Sequence, residues 1–455
     1  MIPRTIITWL CAICLSSNLF AAETVDMAKR AEELKSLRWG MFICWSFSTF
    51  YGKEAATRVK DVSFFRATNC DTDQWAKTAK EAGMGYILFL TKHHDGFCLW
   101  DTKTTDRKVT KAPLGRDVLA EVRKSCDKYG IKLALYYSEG EYGKNEDPNV
   151  YHPGGFTPEM KKAQLKELLT QYGPVEYIWF DHARTDGGLS HQDTTAFCKS
   201  LQPGCIIGYN NGVPCGDIHL GELGSAAPLD SFKKRNKYDG YLLSEFTYPI
   251  LPKHTGGADW FYSLPEHDNL CKPAKALYKD YLRAVKYDCI FSIDIGPNYE
   301  GKIRDIDVKT LREVGEMIRN KSTGGPVPLS QDKPTTASST WSPEYGSGKA
   351  LDGDDATRWG AASGRDGWLA VDLGQECTIG RVMISEIAAA RTLEFIVEGK
   401  DDGGTWKTLV TGTTIGDEKM IEFPAVQARH VRLNILKAKD TPTINEFQVF
   451  APGAK

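Results

Sequence analysis

"VEYIWFD" (175–181) decides how the first two-thirds of this 455-residue chain is read. Tyr177 to Phe180 form an unbroken apolar run that closes on Asp181, and polar residues with a glycine pair follow at once. Such a run, bounded by turn residues, suits a strand buried on both faces, as in parallel sheets. An aspartate just past a strand is commonly a turn residue or a helix cap. On the C-terminal rim of a barrel strand it stands where catalytic side chains collect. The choice rests on the segments around it.

Six similar runs flank this one: "MFICW" (41–45), "GYILFLTKHH" (85–94), "IKLALYYS" (131–138), "CIIGYN" (205–210), "YLLSEF" (241–246) and "CIFSIDIGP" (289–297). Between them lie "DTDQWAKTAKEAGM" (71–84), "GRDVLAEVRKSCDKYG" (115–130), "TPEMKKAQLKELLTQYG" (157–173) and "PAKALYKDYLRAVKYD" (273–288). Each has apolar residues at helical spacing and a start or stop signal. The alternation predicts an α/β fold, a (β/α)8-like barrel, with its helix signal weakest between 206 and 245. Polar residues gather where the apolar runs end: Lys92, His93, His94 and Asp95; Tyr137 and Ser138; Asp181; Asn210 and Asn211; Glu245. In a barrel those ends share one face, so residues remote in sequence converge on one pocket.

Composition narrows the chemistry. Fifty-seven basic against fifty-nine acidic residues give a net charge of −2, which excludes a nucleic-acid or anionic-membrane footprint. "MIPRT" followed by "IITWLCAICLSSNLFAA" reads as an export signal over residues 1–22. That reading predicts a secreted or periplasmic protein without a membrane span after cleavage. Ten of the twelve cysteines lie beyond residue 22, with no CxxC pair among them, which argues against a structural zinc site.

A second regime begins after "NKSTGGPVPLSQDKPTTASS" (320–339), whose composition is that of a linker. Helical spacing then gives way to short apolar runs at regular intervals, from "WLAVDLG" (368–374) to "INEFQVF" (444–450). That pattern predicts an antiparallel β-sandwich over 326–455, after a barrel domain over 23–325.

Four stretches now bear on function: "WGMFICW" (39–45), "KHHDGFCLWDTKTTDRKV" (92–109), "ALYYS" (134–138) and "WFD" (179–181). Together they resemble the retaining α-L-fucosidase family of glycoside hydrolases. The segment "SIDIGPNYEGKI…LREVGEMI" (292–318) resembles the same family near the end of its barrel. The resemblance implies release of terminal fucose from glycans by double displacement, without a catalytic cofactor. It implies Asp181 as nucleophile. It implies Glu222, in "DIHLGELG" (217–224), as acid/base, placed as in the subgroup acting on branched fucosides. Glu245 is the alternative. Among substrate-contacting positions it implies His93, His94, Tyr137, Trp179, Cys44, Glu54 and Glu245. Fucosylated oligosaccharides or glycoconjugates are the implied partners.

The departures touch specificity. Cys44 stands where the family usually has a sugar-binding histidine, His182 where it has glycine, and Asn211 near a usual arginine. A thiol is a poor hydrogen-bond donor, so a related glycosidase of altered sugar specificity, or a catalytically weak carbohydrate-binding protein, are the alternatives. A metal-dependent hydrolase using His93, His94, Asp95, His182 and His219 is a further rival. Adjacent side chains on a strand point to opposite sides, which makes "HH" the wrong spacing for such a site.

Beyond the linker, "GKALDGDDATRWGA" (348–361), "GWLAVDLG" (367–374), "EFIVEGKDDGGTWKTL" (394–409) and "ARHVRLNI" (428–435) resemble the discoidin-like module of the coagulation-factor C type. That resemblance implies a jelly-roll sandwich and carbohydrate binding. It also implies a structural calcium held by Asp352, Asp354, Thr357 and Glu446, hard oxygen ligands of the kind calcium takes.

Overall fold

The computed structural model describes residues 25–56, 58–140, 157–184, 188–322, 328–354, 357–387 and 389–453. The export-signal segment lies outside them. Eight parallel strands form the barrel: β1 (Trp39–Ile43), β2 (Tyr86–Lys92), β3 (Lys132–Ser138), β4 (Tyr177–Asp181), β5 (Ile206–Tyr209), β6 (Ile218–Glu222), β7 (Leu243–Pro249) and β8 (Ile290–Ile295). They follow in chain order, and β8 pairs back onto β1 to close the ring.

Helices return the chain between strands: α1 (Met27–Ser36), α2 (Phe47–Tyr51), α3 (Thr72–Glu81), α4 (Val118–Tyr129), α5 (Pro158–Gln171), α6 (His191–Leu201), α7 (Leu229–Asn236), α8 (Ala274–Lys286) and α9 (Asp305–Ser322). Their starts are written in local side chains. Asp71, Asp117, Thr157 and Ser190 each accept a backbone N–H of the first turn of α3, α4, α5 and α6. The apolar face of α4, with Val118, Leu119 and Val122, is buried on the barrel, at about 1.5–3 kcal/mol for each aliphatic side chain.

The strand β6 is absent from the sequence reading. Its run "IHLGE" is short and half polar, and the loop joining β5 to β6 carries no helix to frame it. The loop turns on Gly212 and Gly216, both at positive φ, and a Cβ at Gly216 would stand 2.5 Å from the Ile207 carbonyl oxygen. The "HH" argument also needs correction. The register between β2 and β3 slips between Leu90 and Lys92, and the strand ends at Lys92. His93 and His94 therefore escape the period of two, and both line the same cavity.

Inside the ring the strand period sorts the side chains. Tyr177, Trp179 and Asp181 climb one face of β4 at intervals of two. Gly40 leaves room for the Tyr86 ring, whose carbons would lie 2.4 Å from a Cβ there. A polar layer crosses the pore beneath the catalytic end. The Tyr86 hydroxyl meets Ser292 at 2.7 Å, and Glu245 accepts from Tyr177 at 3.2 Å, from Ser292 and from the Trp179 indole at 2.7 Å. Burial pushes the Glu245 carboxyl up to about 7, with these three donors pulling the other way.

The C-terminal region is antiparallel. Its strands are β9 (Thr335–Ala337), β10 (Trp359–Gly360), β11 (Gly367–Ser385), β12 (Thr392–Lys400), β13 (Lys407–Gly412), β14 (Lys419–Ala438), β15 (Thr443–Ile444) and β16 (Glu446–Phe450). The order β13-β12-β14-β11-β16 builds the main sheet, β9 adds to β11, and β10 pairs β15. Two long bulged strands replace four predicted short ones: β11 runs through "WLAVDLG" and "TIGRVMIS", and β14 through "MIEFP" and "HVRLNIL". The linker reading is too long, because Leu329 already bonds Val449 and β9 lies in the sheet. The core is Trp359, Leu369, Val371, Phe395, Val397, Leu433 and Phe447 with their neighbours. Three ion pairs join this module to α8 among the described residues: Lys286 Nζ to Asp354 at 2.7 Å, Arg283 Nε to Asp354 at 3.8 Å and Lys275 Nζ to Glu418 at 2.9 Å.

Candidate active site

At the C-terminal ends of the barrel strands lies a cavity of about 160 Å³. Phe42, Leu90, Tyr136 and Trp179 make its apolar walls, and Trp260 with Phe261 close one side from the loop after β7. Three carboxylates face it: Asp181, Glu222 and Glu54.

Asp181 ends β4 and is buried. Its Oδ2 accepts the Tyr136 hydroxyl at 2.6 Å and lies 3.5 Å from His94 Nε2. Its Oδ1 accepts the backbone N–H of His182 at 2.7 Å and the Asn210 amide at 2.9 Å. These bonds fix the carboxylate toward the cavity and account for its position without any capping role.

Glu222 ends β6 at the solvent-facing mouth. The same Asn210 amide nitrogen donates to its Oε2 at 2.7 Å. Partial burial raises its carboxyl, the Asn210 bond lowers it, and the charges of Asp181 and Glu54 raise it. One nitrogen thus bridges two carboxylates, so the bonded oxygens lie no farther apart than the two bonds end to end, about 5.6 Å. They lie about 4.9 Å apart if the N–H directions diverge by 120°.

Glu54 accepts the backbone N–H groups of Asp259 and Trp260, the latter at 3.1 Å, and so pins the aromatic loop over the cavity. Burial raises its carboxyl against those two donors. Cys44 lines the cavity with its thiol beside the Asp294 carboxyl, and burial pushes that thiol well up. Burial holds Asp294 well above the usual carboxylate range, with the Cys44 thiol opposing. His93 packs edge-on against Phe261, and His94 is anchored through Nδ1 to Ser138 Oγ at 2.7 Å. Burial drives both imidazoles far below their ordinary range.

Several expected positions fall elsewhere. Tyr137 lies outside the cavity, because it alternates with Tyr136: its hydroxyl bonds Gln164 on α5 at 2.7 Å, and Lys92 sits 3.9 Å over its ring. Glu245 is buried one layer below and orients Trp179 instead of lining the cavity. Asp95 accepts from Phe97 in its own loop, and His219 stacks on Phe232 at 4.0 Å, so the five-residue metal set does not assemble. Asn210, not Asn211, is the strand-end amide in the site. Tyr136, Trp260 and Phe261 escaped the sequence reading, and Asn210 entered it only as one of the polar residues at strand ends; the period of two from Asp181's register partner Ser138 places Tyr136 on the pore face.

Three of the expected calcium ligands draw together: Thr357 Oγ1 lies 2.9 and 3.0 Å from the two Asp352 carboxylate oxygens, 3.1 Å from the Asp354 carbonyl oxygen and 2.9 Å from the Lys349 carbonyl oxygen. Asp354 is occupied by Lys286, and Asp352 accepts Thr357 Oγ1 at 2.9 Å and the Asp354 N–H at 3.0 Å. Among the described residues, the one group of three or more His, Cys, Asp or Glu side chains with ligating atoms within 4.8 Å of one another is His94, Asp181 and His182. The Lys286 ammonium takes the Asp354 carboxylate, whereas the oxygens gathered round Thr357 are of the kind calcium takes.

Comparison with known proteins adds to this geometry. The family model described as Alpha-L-fucosidase matches residues 44–322, and that described as F5/8 type C domain matches 334–447. Alpha-L-fucosidase 1 of Arabidopsis thaliana is 27% identical over 458 residues, covering 91% of this chain and 86% of its own. The plasma alpha-L-fucosidase of Homo sapiens is 23% identical over 273 residues, 56% of this chain and 55% of its own. A Bacteroides thetaiotaomicron crystal structure described as a candidate alpha-L-fucosidase superposes with TM-score 0.59 at 25% identity, covering 93% of this chain and 96% of that one. A Ruminococcus gnavus fucosidase solved with fucose shares the fold, with TM-score 0.53 at 22% identity over 93% of this chain and 94% of that one.

Proposed function

The chain belongs to the alpha-L-fucosidase family of glycoside hydrolases, and from that premise we propose that it releases terminal fucose from glycans by double displacement at Asp181 and Glu222. The observation that carries the mechanism is the Asn210 bridge. Retaining glycosidases hold their two carboxyl groups about 5–5.5 Å apart, whereas inverting enzymes need about 6.5–9.5 Å to admit a water. The bound of about 5.6 Å that the bridge sets on the bonded oxygens falls near the retaining separation and supports that reading.

Asp181, held by Tyr136, Asn210 and the His182 amide, attacks the anomeric carbon from inside the cavity. Glu222, at the mouth where an aglycone leaves, gives its proton to the departing oxygen; burial and the Asp181 charge favour the protonated form it needs. In the second half the deprotonated Glu222 takes a proton from water, which displaces Asp181. Phe42, Trp179, Trp260 and Phe261 supply apolar surface for the sugar ring.

Turnover of an aryl α-L-fucoside by Asp181→Gly tests this reading. The variant should lose nearly all activity, and azide should restore it by filling the vacated space and yielding a β-fucosyl azide, inverted at the anomeric carbon. A variant as active as wild type, or an α-azide, would overturn Asp181 as nucleophile. Export is part of the same proposal and rests on the signal-like composition of residues 1–22; N-terminal sequencing of the mature protein from the culture medium or periplasm, beginning near residue 23, tests it.

A further inference from the structure

We propose that His94, Asp181 and His182 form a binding site for a borderline-soft divalent metal of the zinc kind, laid over the catalytic carboxylate so that metal and sugar exclude each other. The ligating atoms of these three side chains lie within 4.8 Å of one another. They come from the two strands that flank β3, His94 just past β2 and Asp181 with His182 at the end of β4.

The donor set and spacing both point to zinc. Zinc takes imidazole nitrogen and carboxylate oxygen at about 2.0–2.2 Å, most often in a tetrahedron whose ligand–ligand edges are then about 3.4 Å. His94 Nε2 and Asp181 Oδ2 stand 3.5 Å apart, so that edge is already formed. The His182 ring centroid lies 3.8 Å from that of His94, and rotation of its exposed side chain closes the remaining edges. A fourth position is left for water. Calcium and magnesium prefer all-oxygen shells and fit this set poorly.

An outer layer is in place as well. Ser138 holds Nδ1 of His94 at 2.7 Å, which turns Nε2 toward the carboxylate, and Tyr136 and Asn210 hold Asp181. His182 carries the cost of this arrangement in its backbone, at φ +53°, where a glycine would sit without strain. Its side chain serves none of the hydrolytic steps above; only its backbone N–H does.

The test is zinc titration of the purified full chain against a chromophoric chelator, with fucose as competitor, alongside aryl α-L-fucoside kinetics with added zinc and EDTA. Wild type should bind one zinc per chain, release it to fucose, and show competitive inhibition that EDTA reverses. His182→Gly removes the imidazole while keeping the backbone N–H that Asp181 accepts, and its readout is the zinc affinity. Loss of an outer-layer partner alone weakens metal sites roughly 10–100-fold, so losing this ligand should raise the zinc dissociation constant at least about tenfold. Zinc that fucose does not displace, or unchanged zinc affinity in His182→Gly, overturns the proposal. The inhibition rests on Asp181 as nucleophile, whereas the binding does not: stoichiometric, His182-dependent zinc that leaves turnover intact would support the metal site and count against that nucleophile.

Discussion

Replacing Asn210 by Ala removes one nitrogen and two hydrogen bonds at once. Asp181 keeps the Tyr136 hydroxyl and the His182 amide, so its placement survives. Glu222 loses the Asn210 bond of 2.7 Å, which both orients it and favours its charged form. A hydrogen bond to a charged group contributes about 1.5–3 kcal/mol, and each 1.36 kcal/mol on the barrier is tenfold in rate. The expected fall in kcat/KM is therefore roughly 10- to 150-fold, larger for poor leaving groups, which need the proton most. The pH profile carries a second signature. Without the amide, the Glu222 carboxyl keeps its proton to higher pH, so the falling basic limb of kcat/KM should move upward. Aryl α-L-fucosides of graded leaving-group strength, assayed across pH with a thermal melt to verify folding, read both effects. An unchanged kcat/KM, or a basic limb displaced to lower pH, would refute the bridging role.

The two adjacent tyrosines separate cavity from scaffold: Tyr136→Phe should lower kcat roughly tenfold or more by removing a 2.6 Å bond to Asp181. Tyr137→Phe should leave kcat unchanged and lower stability by about 1 kcal/mol through its bond to Gln164. Glu245 holds its proton to about 7 against an ordinary 4.5, so its contribution to stability is full below about pH 4.5 and is lost as pH rises toward 7, up to ~3 kcal/mol. Denaturant melts across that window should show a slope that Glu245→Gln removes. Cys44→His should alter KM and inhibitor affinity for fucose analogues without unfolding the barrel; identical kinetics would mean that Cys44 does not reach the sugar. Deleting residues 327–455 should leave a folded barrel active on small aryl glycosides, since the ion pairs severed on the barrel side belong to the partly exposed Lys275, Arg283 and Lys286; an insoluble product would show the module to be obligatory.

Most of the barrel was legible because its strands are buried on both faces and so spell continuous apolar runs, and because Asp71, Asp117 and Thr157 announce their helices. The strand carrying Glu222 was not, since "IHLGE" has only three buried residues before it opens to the mouth at Gly221 and Glu222. Within the site, residue types were easier to find than faces. A one-residue step separates Tyr136 from Tyr137, and only the pairing register tells which points inward. The histidine pair misled in the opposite direction, because the period of two was applied past the point where β2 ends. The aromatic loop at Trp260 and the Asn210 bridge depend on contacts across long stretches of chain, which local pattern does not encode. In the C-terminal module, bulges let two strands continue through the polar interruptions that suggested turns.

The ion pairs at the two ends of α8 have a consequence for how the enzyme meets a glycan. Lys275 and Lys286 sit at opposite ends of one helix, about 17 Å apart at 1.5 Å per residue. A single anchor would let the module swivel; two define an axis. The module is therefore held along the flank of the barrel, with one anchor near the rim and the other near the opposite end. A saccharide held by the module would stand at a fixed reach and bearing from the pocket. Effective concentration would then be governed by that offset, not by the length of the connecting chain. Glycans whose branches match that offset would then be trimmed preferentially, and the helix would gauge a branch as calipers gauge a thickness.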